Sequence, residues 1–394
     1  MNIYSEYKGL GRDIYSVAYM RFIVAAGMFV MPMLTFIFID KLGLNTLNAG
    51  VLVAICTSSY IPGSLLGGWL VDKYSDRFTL IASMFGASVF WFLSGILAFE
   101  LEMVVTIVIA FLFLGMTDPA INSYIANNSR EDSVKGAFSL SYLAKNVGLS
   151  LGALVSGFLF SKYPKLVFFI EGGALVTSAI IGFCLLGPSK NNEDKSPKEK
   201  AGAEGYLSLK TVLVLFTIFI LVLCYCQTLF TLPVQLETLY KEESPKLYGI
   251  IVSLNAAIVL LFTPLLAKAT KNLTSNQILA IASVFLGVGL GAHYFLTTYS
   301  LILAFVFVWT IGEILIWSNS PVLINDMVKD SERGRANGML SSVNALGFVV
   351  APLFGGYFLS MFQNDLIWPA LTLLCGCGIL IIYALSNWQK SATA

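Results

Sequence analysis

Between Lys210 and Glu237 the chain runs for 26 consecutive residues without a charged side chain. As an α-helix such a run is about 39 Å long, enough to cross the ~30 Å hydrocarbon core of a bilayer. Predominantly apolar stretches of this kind recur at 15–38, 46–71, 79–99, 103–126, 137–160, 166–187, 211–236, 247–268, 276–296, 299–325, 337–360 and 366–386. They are continuous rather than alternating and about twice the length of a barrel strand, which excludes a membrane β-barrel. The reading is an all-α membrane protein with twelve transmembrane helices. Composition agrees: 12% of the residues are charged, with 24 basic and 23 acidic side chains over 394 residues, about half of what a soluble surface carries. A mean hydropathy of +0.79 also excludes a disordered chain, a fibre and a nucleic-acid binder held by basic charge.

If the amino terminus is cytoplasmic, the connections on that side hold 17 Lys and Arg residues and those on the other side hold five, Lys41, Lys162, Lys165, Lys241 and Lys246. This positive-inside bias places both termini in the cytoplasm. The first stretch, about 24 residues after Lys8 and Arg12 with no small-residue cleavage site, is expected to be the first helix rather than a leader. The strongly polar segment 189–210 is expected to be a cytoplasmic linker. It separates two six-helix halves, 1–188 and 211–394, that echo one another. Ile81-Ala82-Ser83-Met84-Phe85 returns as Ile281-Ala282-Ser283-Val284-Phe285, and Lys135-Gly136, Asn146 and Gly157 return as Arg333-Gly334, Asn344 and Gly355. Two matches at nearly one offset argue for pseudo-symmetric bundles.

Three motifs carry a resemblance. Gly68-Trp-Leu-Val-Asp72-Lys73-Tyr-Ser-Asp76-Arg77 falls in the turn between the second and third helices. Arg333-Gly-Arg335-Ala-Asn-Gly338 opens the eleventh, followed by Ala351-Pro352 and Gly355-Gly356, with Gly148, Gly152 and Gly157 as a partial copy in the fifth. Thr310-Ile-Gly312-Glu313 lies in the tenth and Leu232-Pro233-Val234 in the seventh. Together they resemble the major facilitator superfamily, and within it the twelve-helix drug:proton antiporters. The resemblance implies that Gly68, Asp72, Arg77, Arg333 and Arg335 form a cytoplasmic gate and that Glu313 belongs to the proton and substrate pathway. The cytoplasmic-side carboxylates those exporters carry in helices four and five correspond here to Asn127 and Ser141, so the proton wiring differs.

Ionisable side chains are costly within a bilayer and mark pathways or pairs. Arg21, Asp118 and Lys145 each lie about eight residues, or roughly 12 Å, inside the cytoplasmic end of their helices, a shared depth that suggests a cluster. Asp118 is then the partner of Lys145 and Arg21 in a buried charge pair, or a proton acceptor. Glu313, near the midplane with no cation in its own span, is placed to gain and lose a proton. Trp309, Glu313 and Trp317 follow at i, i+4 and i+8 on one face, which suits a flat or cationic ligand. Arg21, Met28, Met31, Gln227, Thr231, Gln235, Trp309 and Trp317 are the candidate cavity residues. Glu171 is expected about one and a half turns inside the sixth helix, within reach of the interface.

The expected activity is proton-coupled export of lipophilic or cationic small molecules by alternating access. The partners are a small-molecule substrate, protons and membrane lipid, without nucleic acid, in a monomer of the plasma membrane. The proton gradient replaces any cofactor; no Gly-x-x-x-x-Gly-Lys-Ser/Thr phosphate loop is present, and neither the single histidine, His293, nor the six cysteines suggest a metal site or disulfides. No nucleophile–base pair suggests an enzyme. A proton-linked importer of a nutrient or peptide and a lipid flippase are the alternatives.

Overall fold

The computed structural model describes residues 9–130, 133–188, 209–328, 333–362 and 364–393, and all of the regular structure among them is helical. In chain order the helices are α1 (Arg12–Ala26), α2 (Val30–Phe36), α3 (Thr46–Ser58), α4 (Tyr60–Lys73), α5 (Asp76–Ile96), α6 (Met103–Asn128), α7 (Val134–Lys162), α8 (Leu166–Leu185), α9 (Leu209–Tyr240), α10 (Ser244–Ala269), α11 (Ser275–Gly291), α12 (Tyr299–Asp326), α13 (Arg333–Met361) and α14 (Ile367–Thr393). The polar segment 189–210 lies almost wholly outside the described residues, as do the side chains of Arg333 and Arg335.

Among the described residues, eleven helical stretches are long and apolar enough to cross a membrane, one of them the 61-residue run Leu209–Ala269. A straight helix of that length would measure about 92 Å, three bilayer cores. The 3-10 turn Lys241–Glu243 divides it into α9 and α10, with Lys241 in the left-handed region at φ 47°. The outer surface is apolar: Leu65, Leu373, Leu380 and Phe183 are all exposed, the reverse of what water permits in bulk and what lipid requires.

Two crossings are built from two helices each. The first breaks at Gly27–Phe29, between α1 and α2, and α2 then winds into a π turn over Ile37–Lys41. Pro32 accounts for the break, since it has no N–H and its ring clashes with the carbonyl one turn earlier, that of Met28. The second crossing is interrupted at Ser59, whose hydroxyl donates to the carbonyl oxygens of Cys56 at 2.6 Å and Val108 at 2.9 Å. Beyond it α4 packs along α6. A Cβ on Gly67 would lie 2.5 Å from the Met116 Cα, while Gly63 faces Leu112 and Gly115 faces Tyr60 just as tightly. Gly68, by contrast, faces open space. The close approach of α4 to α6 is therefore made by Gly63 and Gly67 rather than by Gly68, because one residue along a helix turns the side-chain direction by about 100°.

The chain divides into two compact units, one of Met1–Leu44, Ile55–Ser196 and Tyr240–Ala256 and one of Asn45–Ala54, Pro197–Leu239 and Ala257–Ala394. In the first, α7 meets the start of α10: a Cβ on Gly157 would lie 3.0 Å from the Gly249 Cα. In the second, α13 meets the start of α3: a Cβ on Gly50 would lie 3.2 Å from the Gly356 Cα. Gly157 and Gly356 are 199 residues apart, and so are Gly50 and Gly249. The same helix–helix contact is thus made twice by corresponding residues, with small side chains letting backbones touch where lipid offers no hydrophobic drive.

Candidate functional site

The first polar cluster at membrane depth is centred on Asp118, which precedes the helix-interior Pro119 of α6. Arg21 of α1 reaches Asp118 Oδ1 at 2.7 Å, and Lys145 Nζ of α7 lies 3.8 Å from Oδ2. The Tyr60 hydroxyl of α4 also donates to Oδ2. Both carboxylate oxygens are occupied, and two cations around one anion leave the cluster with a net charge of +1. Side-chain exposures of 14% for Arg21, 31% for Asp118 and 35% for Lys145 leave that charge open to a solute. The depth argument brings the three ionic residues together. Tyr60 had no signal of its own, since a tyrosine in an apolar run looks like packing.

The second cluster lies on α12. Glu313 and Trp309 are buried and Trp317 is half-buried. Gly312 lets α12 press against α11, where an added Cβ would stand 2.8 Å from the Leu286 N. Tyr225 of α9 joins the two indoles, its ring centroid 6.2 Å from Trp309 at 58° and 6.3 Å from Trp317 at 84°. Phe348 of α13 extends the wall, 6.3 Å from Trp317. Trp309 Nε1 is buried with no hydrogen-bond partner among the described residues, a donor available to an incoming acceptor. Three aromatic rings from two helices beside one carboxyl make a surface that suits a flat organic cation. Tyr225, like Tyr60, was missed for want of a pattern.

Gln227, Thr231 and Gln235 of α9, expected to line the cavity, make contacts between helices. Gln227 Nε2 donates to the Ala351 carbonyl at 2.9 Å, and the Thr231 hydroxyl donates to Gln227 Oε1 at 2.6 Å. Both residues are fully buried in the seam between α9 and α13, where an added Cβ on Gly355 would collide with them. Their polar atoms are spent on holding helices together. Gln235 Nε2 donates to the His293 carbonyl at 3.0 Å, and the His293 ring lies against Trp368 with centroids 4.8 Å apart. Met28 sits within the break of the first crossing and Met31 in the first turn of α2, both half-buried.

At the α4–α5 turn, Asp72 is exposed. Ser75 caps α5 by accepting from the Phe78 N–H at 3.1 Å, satisfying one of the free amides of the first turn. Asp76 is buried and accepts from Asn127 Nδ2 at 2.9 Å. A carboxylate therefore does stand beside Asn127 at the end of α6, contributed by α5. Arg77 donates to the Phe183 carbonyl at 2.8 Å in the last turn of α8, a cation placed at the negative end of a helix. Glu171, expected within reach of the interface, is 3% exposed. It turns inward because the break in the first crossing offers it backbone donors: its Oε2 accepts from the Phe29 N–H at 3.0 Å and the Val30 N–H at 2.7 Å. Among the described residues no group of three His, Cys, Asp or Glu side chains could hold a metal ion.

Against known proteins, a family model described as Major Facilitator Superfamily matches residues 17–243 and 218–388. The chain is 24% identical over 337 residues to the uncharacterized MFS-type transporter YqjV of Bacillus subtilis, covering 81% of this chain and 79% of that one. It is 23% identical over 380 residues to the quinolone resistance protein NorA of Staphylococcus aureus, covering 95% and 97%. Among solved structures it resembles the POT family transporter PepTSo with a TM-score of 0.75 at 13% identity, over 96% of this chain and 98% of that one, a likeness of fold alone.

Proposed function

The chain belongs to the Major Facilitator Superfamily, and from that premise we propose that this integral membrane transporter exports lipophilic or cationic small molecules against an inward flow of protons. It works by alternating access of twelve crossings in two six-helix bundles, with both termini in the cytoplasm of a plasma-membrane protein. The observation that carries the reading is Glu313 buried on the face of Trp309 and Trp317, with Tyr225 against both rings. Ionised Glu313 attracts a cation held over the aromatic wall; a proton arriving from outside neutralises the carboxyl and weakens that hold, so cargo leaves outward. Loss of the proton to the cytoplasm resets the site. Asp118, engaged by three partners, serves as the fixed counter-ion of Arg21 and Lys145. The quinolone-resistance role in the name of the Staphylococcus relative fits an exporter of flat aromatic compounds.

One observation favours a second reading. The +1 charge at Arg21, Asp118 and Lys145 would suit the carboxylate of a peptide or other acidic nutrient entering with protons. Everted membrane vesicles separate the two. Energised vesicles should accumulate fluorescent organic cations and lose them when a protonophore collapses the gradient. Uptake of dipeptides by right-side-out vesicles under an inward proton gradient, without cation accumulation, would replace export by import. Flux insensitive to the protonophore would contradict both.

A further inference from the structure

Glu171 is a buried carboxyl that the transport reading leaves without work. Its Oε2 takes the two backbone N–H groups freed by the break in the first crossing, Phe29 at 3.0 Å and Val30 at 2.7 Å. Gly27 lies in van der Waals conflict with any larger residue because Ala174, three residues along α8 from Glu171, stands against it, so α8 is seated directly on the hinge. Among the described residues, no ion pair joins Glu171 to an ionisable group on the elements packed against α8. On α1 and the π turn, Arg21 is on Asp118, Asp40 pairs with Lys41 at 2.7 Å, Arg12 and Asp13 lie at the helix start, and Tyr15 and Tyr19 are exposed. On α5, Asp76 is bound by Asn127 and Arg77 by the Phe183 carbonyl. On α7, Lys145 faces Asp118, Lys162 lies over the Tyr163 ring at 5.5 Å, and Tyr142 is exposed.

A carboxyl in this position has two acceptable forms. Ionised, it makes two charge-assisted hydrogen bonds; protonated, its carbonyl oxygen still accepts from the same N–H groups, more weakly. With no cation among the described residues paired to it, the low dielectric around it keeps the neutral form within reach. We propose that Glu171 is a second exchangeable proton site, distinct from Glu313, whose ionisation fastens the outer segment Val30–Lys41 of the first crossing to α8 and whose protonation releases it. The chemistry is a single proton moving between water and one carboxylate oxygen, with no other bond made or broken. The proposal stands apart from the cargo assignment, because neither readout below requires transport.

Glu171→Gln is the informative variant: its amide oxygen retains the acceptor for Phe29 and Val30, so the hinge keeps its cap, but it cannot titrate. On lipid-reconstituted full-length protein, infrared difference spectra between alkaline and acid pH should show a protonated-carboxyl carbonyl band in the wild type. In a Glu313→Gln background, which removes the other proposed proton carboxyl, one component of that band should remain, and adding Glu171→Gln should remove it. In a cysteine-free background, spin labels at Leu42 and Lys165 should report a distance distribution that shifts with pH in the wild type and is the same at acid and alkaline pH in Glu171→Gln. A wild-type distribution indifferent to pH would overturn the proposal and leave Glu171 a static cap, and so would a carbonyl band in the Glu313→Gln background that Glu171→Gln leaves unchanged.

Discussion

Asp118 bears three polar contacts, and removing its charge leaves Arg21 and Lys145 confronting each other. Asp118→Asn should lower stability in detergent by about 2 kcal/mol, less than the ~3–5 kcal/mol of a fully enclosed pair, because these side chains are 14–35% exposed. Tyr60→Phe removes one hydrogen bond and should cost about 1 kcal/mol. Thermal unfolding of the purified variants measures both, and a Tyr60→Phe loss as large as that of Asp118→Asn would mean the phenol, rather than the cations, holds the carboxylate. Residue-scale legibility followed one rule. Depth along a helix is fixed by a constant rise, so the common depth of Arg21, Asp118 and Lys145 was readable in the sequence. Direction of approach from a neighbouring helix is not, and Tyr60, Tyr225 and the inward turn of Glu171 became visible only with the packing.

Helix pairing supplies a sharper contrast. Gly67→Ala would place a methyl 2.5 Å from the Met116 Cα, forcing α4 away from α6 at a cost of about 1–3 kcal/mol. Gly68→Ala, one residue on and facing open space, should stay within about 0.5 kcal/mol of the wild type. Equal melting temperatures for the two variants would refute the assigned face. The motif containing Gly68 was easy to see in the sequence, but a motif does not say which of two adjacent glycines meets a neighbour. That the chain is all-helical, with long apolar helices, was legible because bilayer thickness dictates their length. The interruptions were less so: Pro32 shortly after Gly27 was a signal for the break in the first crossing, whereas nothing in the sequence marks Ser59.

Two contacts 199 residues apart, Gly157 on Gly249 and Gly356 on Gly50, express at the scale of the chain the repeat that its sequence echoes at offsets of 200 and 198. The echo was faint because lipid-facing positions tolerate any apolar side chain, and only backbone contacts hold the register. Orientation across the bilayer rests on 17 basic residues against five. Single cysteines at Asn191 and Asn45 should be labelled by an impermeant reagent from the cytoplasm and from outside respectively, and the reverse pattern would invert the assignment. The central claim, that proton movement through Glu313 drives export, is tested most directly by Glu313→Gln in proteoliposomes with an imposed pH gradient. The substitution keeps volume and removes titration. The account predicts a correctly inserted protein that has lost gradient-driven accumulation of organic cations while still exchanging neutral compounds down their own gradients. Cation pumping at the wild-type rate would contradict it and remove Glu313 from the coupling mechanism.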